Sequence, residues 1–179
     1  MRVAIVDYDP AWPEQFRLEK EKLLAAIGSY VAEIQHIGST AVPGLAGKPV
    51  IDVMVGVHPL SEADAVCIDA IIQLGYEYVS AFEKDTPFRR YFRKNNSNGV
   101  RTHQIHLVEI GSEWWLRHLA FRDYLRSHAE AREAYERVKR ELASKEWEDV
   151  NDYAEAKTEF IRAIEEKAMT WWQEVKGRH

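Results

Sequence analysis

Asp52 stands inside Val50-Ile51-Asp52-Val53-Met54-Val55-Gly56-Val57, a carboxylate in a run that otherwise reads as a buried strand. Burying an isolated carboxylate costs several kcal/mol unless it is paired, protonated or bound to a metal, so Asp52 needs a partner. Three kinds are open: hydrogen bonds at the strand end, a divalent cation, or a reacting group. Upstream, Gly38-Ser39-Thr40 begins a loop rich in glycine and proline. Glycine there lets backbone come close to a ligand, and successive N–H groups with a hydroxyl can cradle phosphate oxygens. Lys48, four residues before Asp52, either neutralises such a phosphate or is simply solvated.

His106 lies in Gln104-Ile105-His106-Leu107-Val108. On a strand it shares a face with Gln104, while His103 points the other way, which argues against His103 and His106 as a metal pair. His106 is a candidate metal ligand, acid or base, or hydrogen-bond partner of Asp52, against the plain alternative of a satisfied core histidine. His36, just before the loop, raises the same choice. Lys84, Arg89, Arg90, Arg93, Lys94 and Arg101 crowd one segment against Glu83 and Asp85. Arg90 and Arg93 are therefore candidates for holding an anion, but alternation puts Arg89, Tyr91 and Arg93 on one face and Arg90, Phe92 and Lys94 on the other. A charged edge strand explains the same residues. Ser39, His36 or His106, and Asp52 supply the types of a hydrolase triad, yet no G-x-S-x-G elbow is present, nor G-x-G-x-x-G, a Walker A sequence or H-E-x-x-H.

The elements that must position these residues follow from periodicity. Asp9-Pro10 reads as a helix start, and Trp12, Phe16, Leu23 and Ile27 recur at helical spacing until Gly28. Tyr30 to Ile37 alternates as a strand with Ala32, Ile34 and His36 on one side, and Val50 to Val57 reads as a central strand covered on both faces. Ser61 with Asp64 suggests a capping box for a helix that Gly75 ends. Tyr76 to Phe82, Phe88 to Lys94 and Thr102 to Ile110 predict three more strands, the last two joined at Asn95-Asn96-Ser97-Asn98-Gly99. After Ser112 three helical stripes follow: Leu116, Leu119, Ala120 and Tyr124; Ala131, Tyr135, Val138 and Leu142; Tyr153, Phe160, Ile164, Ala168 and Trp171.

A chain of 179 residues, 46% hydrophobic, suits one domain over 1–179, with a helix-and-sheet core to 110 and a helical part from 111. Its 24 basic and 29 acidic residues leave a net charge of −5, which argues against nucleic acid or an anionic membrane as partner. A lone cysteine, Cys67, excludes an internal disulfide and a cysteine-rich zinc module. With no apolar run near the ~18 residues of a membrane span, a soluble cytoplasmic protein is expected. Adjacent Trp171 and Trp172 point about 100° apart on a helix, so one should be exposed or at a contact, and a homodimer is one expectation.

At His36-Ile-Gly-Ser-Thr-Ala-Val-Pro-Gly-Leu-Ala-Gly-Lys-Pro-Val-Ile-Asp-Val53 the chain resembles the GrpB family, also called UPF0157, of the nucleotidyltransferase superfamily with the DNA polymerase β-like fold. Tyr8-x-x-x-Trp12 with Phe16, Leu74-Gly75-Tyr76, Arg90-Tyr91-Phe92, the strand around His106 and Phe121-Arg122-Asp123-Tyr124-Leu125-Arg126 extend the likeness over nearly the whole chain. The resemblance implies an α+β fold: a mixed β-sheet with an N-terminal helix and a C-terminal run of about three helices. It implies a Gly-Ser turn on nucleotide phosphates and a strand presenting carboxylates to Mg²⁺ or Mn²⁺. Gly38, Ser39, Thr40, Lys48, Arg90 and Arg93 would then hold a nucleotide or phosphorylated small molecule. Asp52 and His106 would hold the cation and take the catalytic roles, with His36 and Gln104 nearby. Catalytic members of the superfamily carry a second carboxylate two residues along that strand, and here that residue is Met54, a poor ligand for a hard cation. The resemblance therefore implies either a metal-dependent nucleotidyltransferase or a non-catalytic binding module, akin to GrpB-like domains fused to dephospho-coenzyme A kinase.

Overall fold

A computed structural model describes residues 4–146 and 150–176. The order of elements is α1 (Trp12–Ile27), β1 (Val31–Ile37), β2 (Ile51–Val57), α2 (Leu60–Gln73), β3 (Glu77–Val79), β4 (Arg89–Asn95), β5 (Arg101–Glu109), α3 (Glu113–Ser127), α4 (Ala129–Ser144) and α5 (Val150–Lys176). The fold is α+β, around a five-stranded mixed sheet in the order β1-β2-β5-β4-β3. β2 and β5 run parallel and the other neighbours antiparallel, so β5, and not β2, is the middle strand.

Both faces of the sheet are covered, and this is why β2 is apolar at nearly every position. Ile51, Val53, Val55 and Val57 pack with Phe92, Ile105 and Leu107 against Leu23 and Ile27 of α1 and Cys67 and Ile71 of α2. On the other face Ile37, Met54 and Val108 meet Trp114, Trp115 and Leu119 of α3. Each fully buried aliphatic or aromatic side chain stabilises by about 1.5–3 kcal/mol, so the strand bearing Asp52 is firmly held. Trp172 packs against the α3 cluster and Trp171 sits edge-on to Tyr124 and His128, so both indoles lie half-buried along α3 and α5. Tyr153, expected on the same stripe, lies outside the residues whose side chains are described.

Local chemistry moves several boundaries. Asp9 Oδ1 accepts from Ala11 N at 2.9 Å, so a turn precedes α1 and Pro13, not Pro10, occupies its first turn. A register shift between Val31 and Glu33 turns Ala32 out to solvent, leaving Ile34 and His36 as the inward pair. The expected capping box at Ser61 does not form. Glu109, at the end of β5, accepts from Leu60 N at 2.7 Å and caps α2 from across the sheet, while Asp64 turns to Arg90. β3 is three residues long because Ser80–Phe82 curls into a 3-10 turn. Ser112 caps α3 as an N-cap should, its hydroxyl accepting from Trp115 N.

Candidate functional site

The loop after β1 is apolar at its anchor points. Val42 and Leu45 insert among Leu125, Tyr135 and Ile164, so α3, α4 and α5 grip it. Arg126 Nε donates to Ala41 O at 2.9 Å, and Arg122 donates to His36 O at 3.0 Å and Gln35 Oε1 at 2.7 Å. Gly38 has φ 78° and ψ −176°, a region essentially reserved for glycine. A Cβ there would lie 2.6 Å from Asp52 Oδ2. The missing side chain thus makes room for the carboxylate of the next strand as well as for the turn.

Parallel pairing sets Asp52 beside Gln104 and Met54 beside His106, so His106 reaches Asp52 on the diagonal. His106 Nε2 lies 3.3 Å from Asp52 Oδ1, and its Nδ1 lies 2.9 Å from Arg89 NH1. A guanidinium only donates, so Nδ1 accepts and the imidazole proton sits on Nε2, directed at Asp52. Tyr91 stacks on one side of His106, with ring centroids 5.5 Å apart, and Trp114 tilts over it at 5.0 Å.

A cleft of about 200 Å³ opens at Asp52, lined by Ser39, Lys48, Asp52 and Gln104, with Lys139 from α4 and Lys157 from α5. Lys139 is 2% exposed; its ammonium donates to Ser39 Oγ and, at 2.9 Å, to Ala46 O. A Cβ on Gly47 would fall 2.8 Å from Ser39 Cβ and 3.0 Å from this ammonium, so glycine at 47 keeps the approach open. Burial pushes Lys139 down to about 7, with the Lys157 and Lys48 ammoniums adding to the fall against Glu136 and Asp52. Burial and Lys48 likewise lower Lys157.

Several residues singled out from the sequence fall elsewhere. Arg90 is on the opposite face, in a two-point ion pair with Asp64 of α2 at 2.9 and 2.8 Å, because even and odd positions of β4 face opposite ways. Arg93 shares the site's face but two strands from β2, tied to Glu77 at 2.8 and 3.0 Å. Arg89 is the β4 arginine that reaches the site. Thr40 faces inward: its hydroxyl accepts from His36 Nε2 at 2.9 Å and donates to Val50 O at 3.2 Å. His36 stacks on Phe16 and is pushed down to about 3 by burial and by the Arg126 and Arg122 cations, so it is a neutral structural group. Gly38, Ser39, Lys48, Asp52, Gln104 and His106 come together. Lys139 and Lys157 were missed, although both sit in line with apolar helical stripes.

A family model described as GrpB protein matches residues 2–167. The chain belongs to the GrpB family. It is 36% identical to the UPF0157 protein YqkA of Bacillus subtilis, over 99% of this chain and 50% of that protein. This GrpB chain thus spans about half of that relative's length. It is 28% identical to a protein named dephospho-CoA kinase from Mycolicibacterium paratuberculosis, over 94% of this chain and 46% of the other. The crystal structure of GrpB from Enterococcus faecalis superposes with TM-score 0.84 at 35% identity, over 94% of this chain and 99% of that one. A structure of the Cid1 poly(U) polymerase matches with TM-score 0.51 at 14% identity, over 74% of this chain and 43% of that one. The sheet of this GrpB protein is accordingly of the nucleotidyltransferase type. Among the described residues no helix is long and apolar enough to cross a membrane.

The donor set limits what metal this GrpB site can hold. Met54 is fully buried under Trp114 and Trp115, so the position expected for a second carboxylate is dry hydrophobic core. Among the described residues no group of three or more His, Cys, Asp and Glu side chains is arranged to hold an ion. A pair of ions does not fit. One ion, sharing Asp52 with the oxygens of a bound ligand, fits the way magnesium usually binds.

Proposed function

We propose that this GrpB protein binds a nucleotide or another phosphorylated metabolite in the cleft at Asp52. The observation that carries the reading is the convergence of Lys48, Lys139 and Lys157 with the Ser39 hydroxyl in one cleft, within a chain of net charge −5. Ammonium groups gathered from three segments match an anion, and phosphoryl oxygens are the strongly accepting anionic groups such donors suit. Gly38 and Ser39 supply the turn, Lys48 the charge nearest β2, and Gln104 an amide beside Asp52. When bound, a single divalent cation would supply charge neutralisation between Asp52 and the phosphate oxygens. Met54 favours binding over two-ion catalysis, because its sulfur is buried and soft.

A second reading, nucleotidyl transfer, draws on the Asp52–His106–Arg89 chain of contacts. There Asp52 accepts the proton of an attacking hydroxyl as its oxygen bonds to the α-phosphorus and pyrophosphate leaves, with His106 orienting the carboxylate.

Thermal unfolding against nucleoside triphosphates and other phosphorylated metabolites, with and without Mg²⁺ or Mn²⁺, tests the reading. A ligand at a hundredfold excess over its Kd stabilises by about 2.7 kcal/mol. That shift should vanish in a Ser39→Ala, Lys48→Met double variant, and its cation-dependent part should vanish in Asp52→Asn. Absence of any shift across the panel, or a shift that ignores the double variant, overturns it.

A further inference from the structure

Two features of the cleft bear on how many phosphoryl groups it takes. Lys139 and Lys157 belong to α4 and α5, far from the Gly-Ser turn in sequence, and bring two further ammoniums to a site that already holds Lys48. Asp52 lines the same cleft and offsets them only in part, one carboxylate against three ammoniums, and it also contacts His106, with Arg89 behind it. Meanwhile the place of a second carboxylate is taken by Met54.

We propose that Lys139 and Lys157 provide the positive charge that a second cation would provide, so that the cleft takes a ligand bearing two or three linked phosphoryl groups and does not require a divalent cation to do so, a single cation at Asp52 adding to the binding. The proposal rests on the reading that the cleft binds a phosphorylated ligand. It follows from charge matching. Counted together, the Arg89 guanidinium and the Asp52 carboxylate cancel, and once all three lysines are protonated the charge of three ammoniums is left for the ligand to answer. A single phosphoryl group carries about −1.5 to −2 at neutral pH, less than three ammoniums match, whereas linked phosphoryl groups carry more.

Geometry agrees. Lys139 spends two of its three N–H donors on Ser39 Oγ and Ala46 O, which pins the ammonium against the Gly-Ser turn and leaves one donor for the ligand. Its buried position, 2% exposed, keeps it from being solvated as a surface lysine is. Lys157 and Lys48 line the same cleft of about 200 Å³, so successive phosphoryl groups would meet successive ammoniums, with the rest of the ligand outside. Gathering like charges in a dry site is unfavourable until an anion joins them, and Lys139 and Lys157 fall below their ordinary range chiefly through burial, with the neighbouring ammoniums adding to it.

Titration calorimetry with inorganic orthophosphate, pyrophosphate and tripolyphosphate, first in metal-free buffer and then with Mg²⁺, tests the assignment. Wild type, Lys139→Met, Lys157→Met and Lys157→Arg are compared, each checked for folding by circular dichroism. Pyrophosphate and tripolyphosphate should bind wild type in metal-free buffer at least tenfold more tightly than orthophosphate. Each methionine variant should lose tenfold or more, and Lys157→Arg, which keeps the charge, should retain binding. If none of the probes binds with or without Mg²⁺, the cleft reading itself falls and takes the proposal with it. If linked phosphates bind only with Mg²⁺ or bind no better than orthophosphate, the replacement of a second cation by lysines falls while the cleft reading stands; if they bind folded methionine variants as tightly as wild type, the lysine convergence carries neither and both fall.

Discussion

Replacing Lys139 by Met should stabilise the ligand-free protein at pH 6 and lose that advantage by pH 9. Lys139 is 2% exposed, and burial together with Lys157 and Lys48 brings its ammonium from 10.5 to about 7. Each unit of such a fall is worth about 1.36 kcal/mol, so below pH 7, where folded and unfolded chains are both protonated, charge burial costs about 5 kcal/mol. Between about 7 and 10.5 the unfolded chain holds a proton that the folded chain has released, so wild-type stability rises with pH. From pH 6 to pH 9 the rise is about 2.7 kcal/mol. Methionine removes the charge at similar length and leaves the Ser39 and Ala46 oxygens one donor short, at about 1–3 kcal/mol. The expected net effect is a gain of about 2–4 kcal/mol at pH 6 and close to zero at pH 9. Urea unfolding of both proteins at the two pH values, followed by circular dichroism, measures it. A variant less stable than wild type at pH 6, or a difference independent of pH, would refute the reasoning.

Three other outcomes follow. Folded His36 is held near 3, so as pH falls below 6.5 the unfolded chain binds a proton that the folded chain refuses and stability drops, by about 2 kcal/mol at pH 5. His36→Gln, which keeps a donor for Thr40 and cannot titrate, should show a shallower fall in thermal midpoint from pH 7 to pH 5. Gly38→Ala forces a side chain into a glycine-only conformation and against Asp52 Oδ2, and should lower stability by about 2 kcal/mol or more in denaturant titrations. Arg90→Ala breaks the pair with Asp64 on the far face and should lower stability by about 1 kcal/mol while leaving phosphate binding unchanged; Arg89→Ala frees His106 Nδ1 and should alter the cation dependence of binding. Equal binding defects in the two arginine variants would contradict this placement.

Much of the scaffold is legible in the chain because its signals are local. The apolar run around Asp52, the stop at Gly75, the turn at Asn96 to Gly99 and the Ser112 cap each depend on a few neighbouring residues. Errors arise where a distant group intervenes. Glu109 caps α2 from 49 residues away, which no inspection of Ser61-x-x-Asp64 reveals. The β4 arginines divide as strand alternation requires, yet which face bears the site depends on β5 lying between β2 and β4. The two helix-borne lysines did leave a trace. Lys139 lies between Tyr135 and Leu142 at stripe spacing, and Lys157 fills the gap before Phe160 on the next stripe. A lysine at such a position either snorkels to water or has something to meet inside.

The sequence by itself determined the family, the α+β class, the Gly-Ser loop leading to Asp52 and the departure at Met54, because these are matters of residue type and short-range order. Only the tertiary structure decided that Lys139 and Lys157 close the cleft, that Arg89 and not Arg90 stands behind His106, and that Met54 is buried beneath tryptophans. The physical reason is that electrostatics and burial act through space: the charges that make this cleft come from segments about a hundred residues apart in the chain, brought within hydrogen-bond reach by helices that pack on the loop rather than on one another alone.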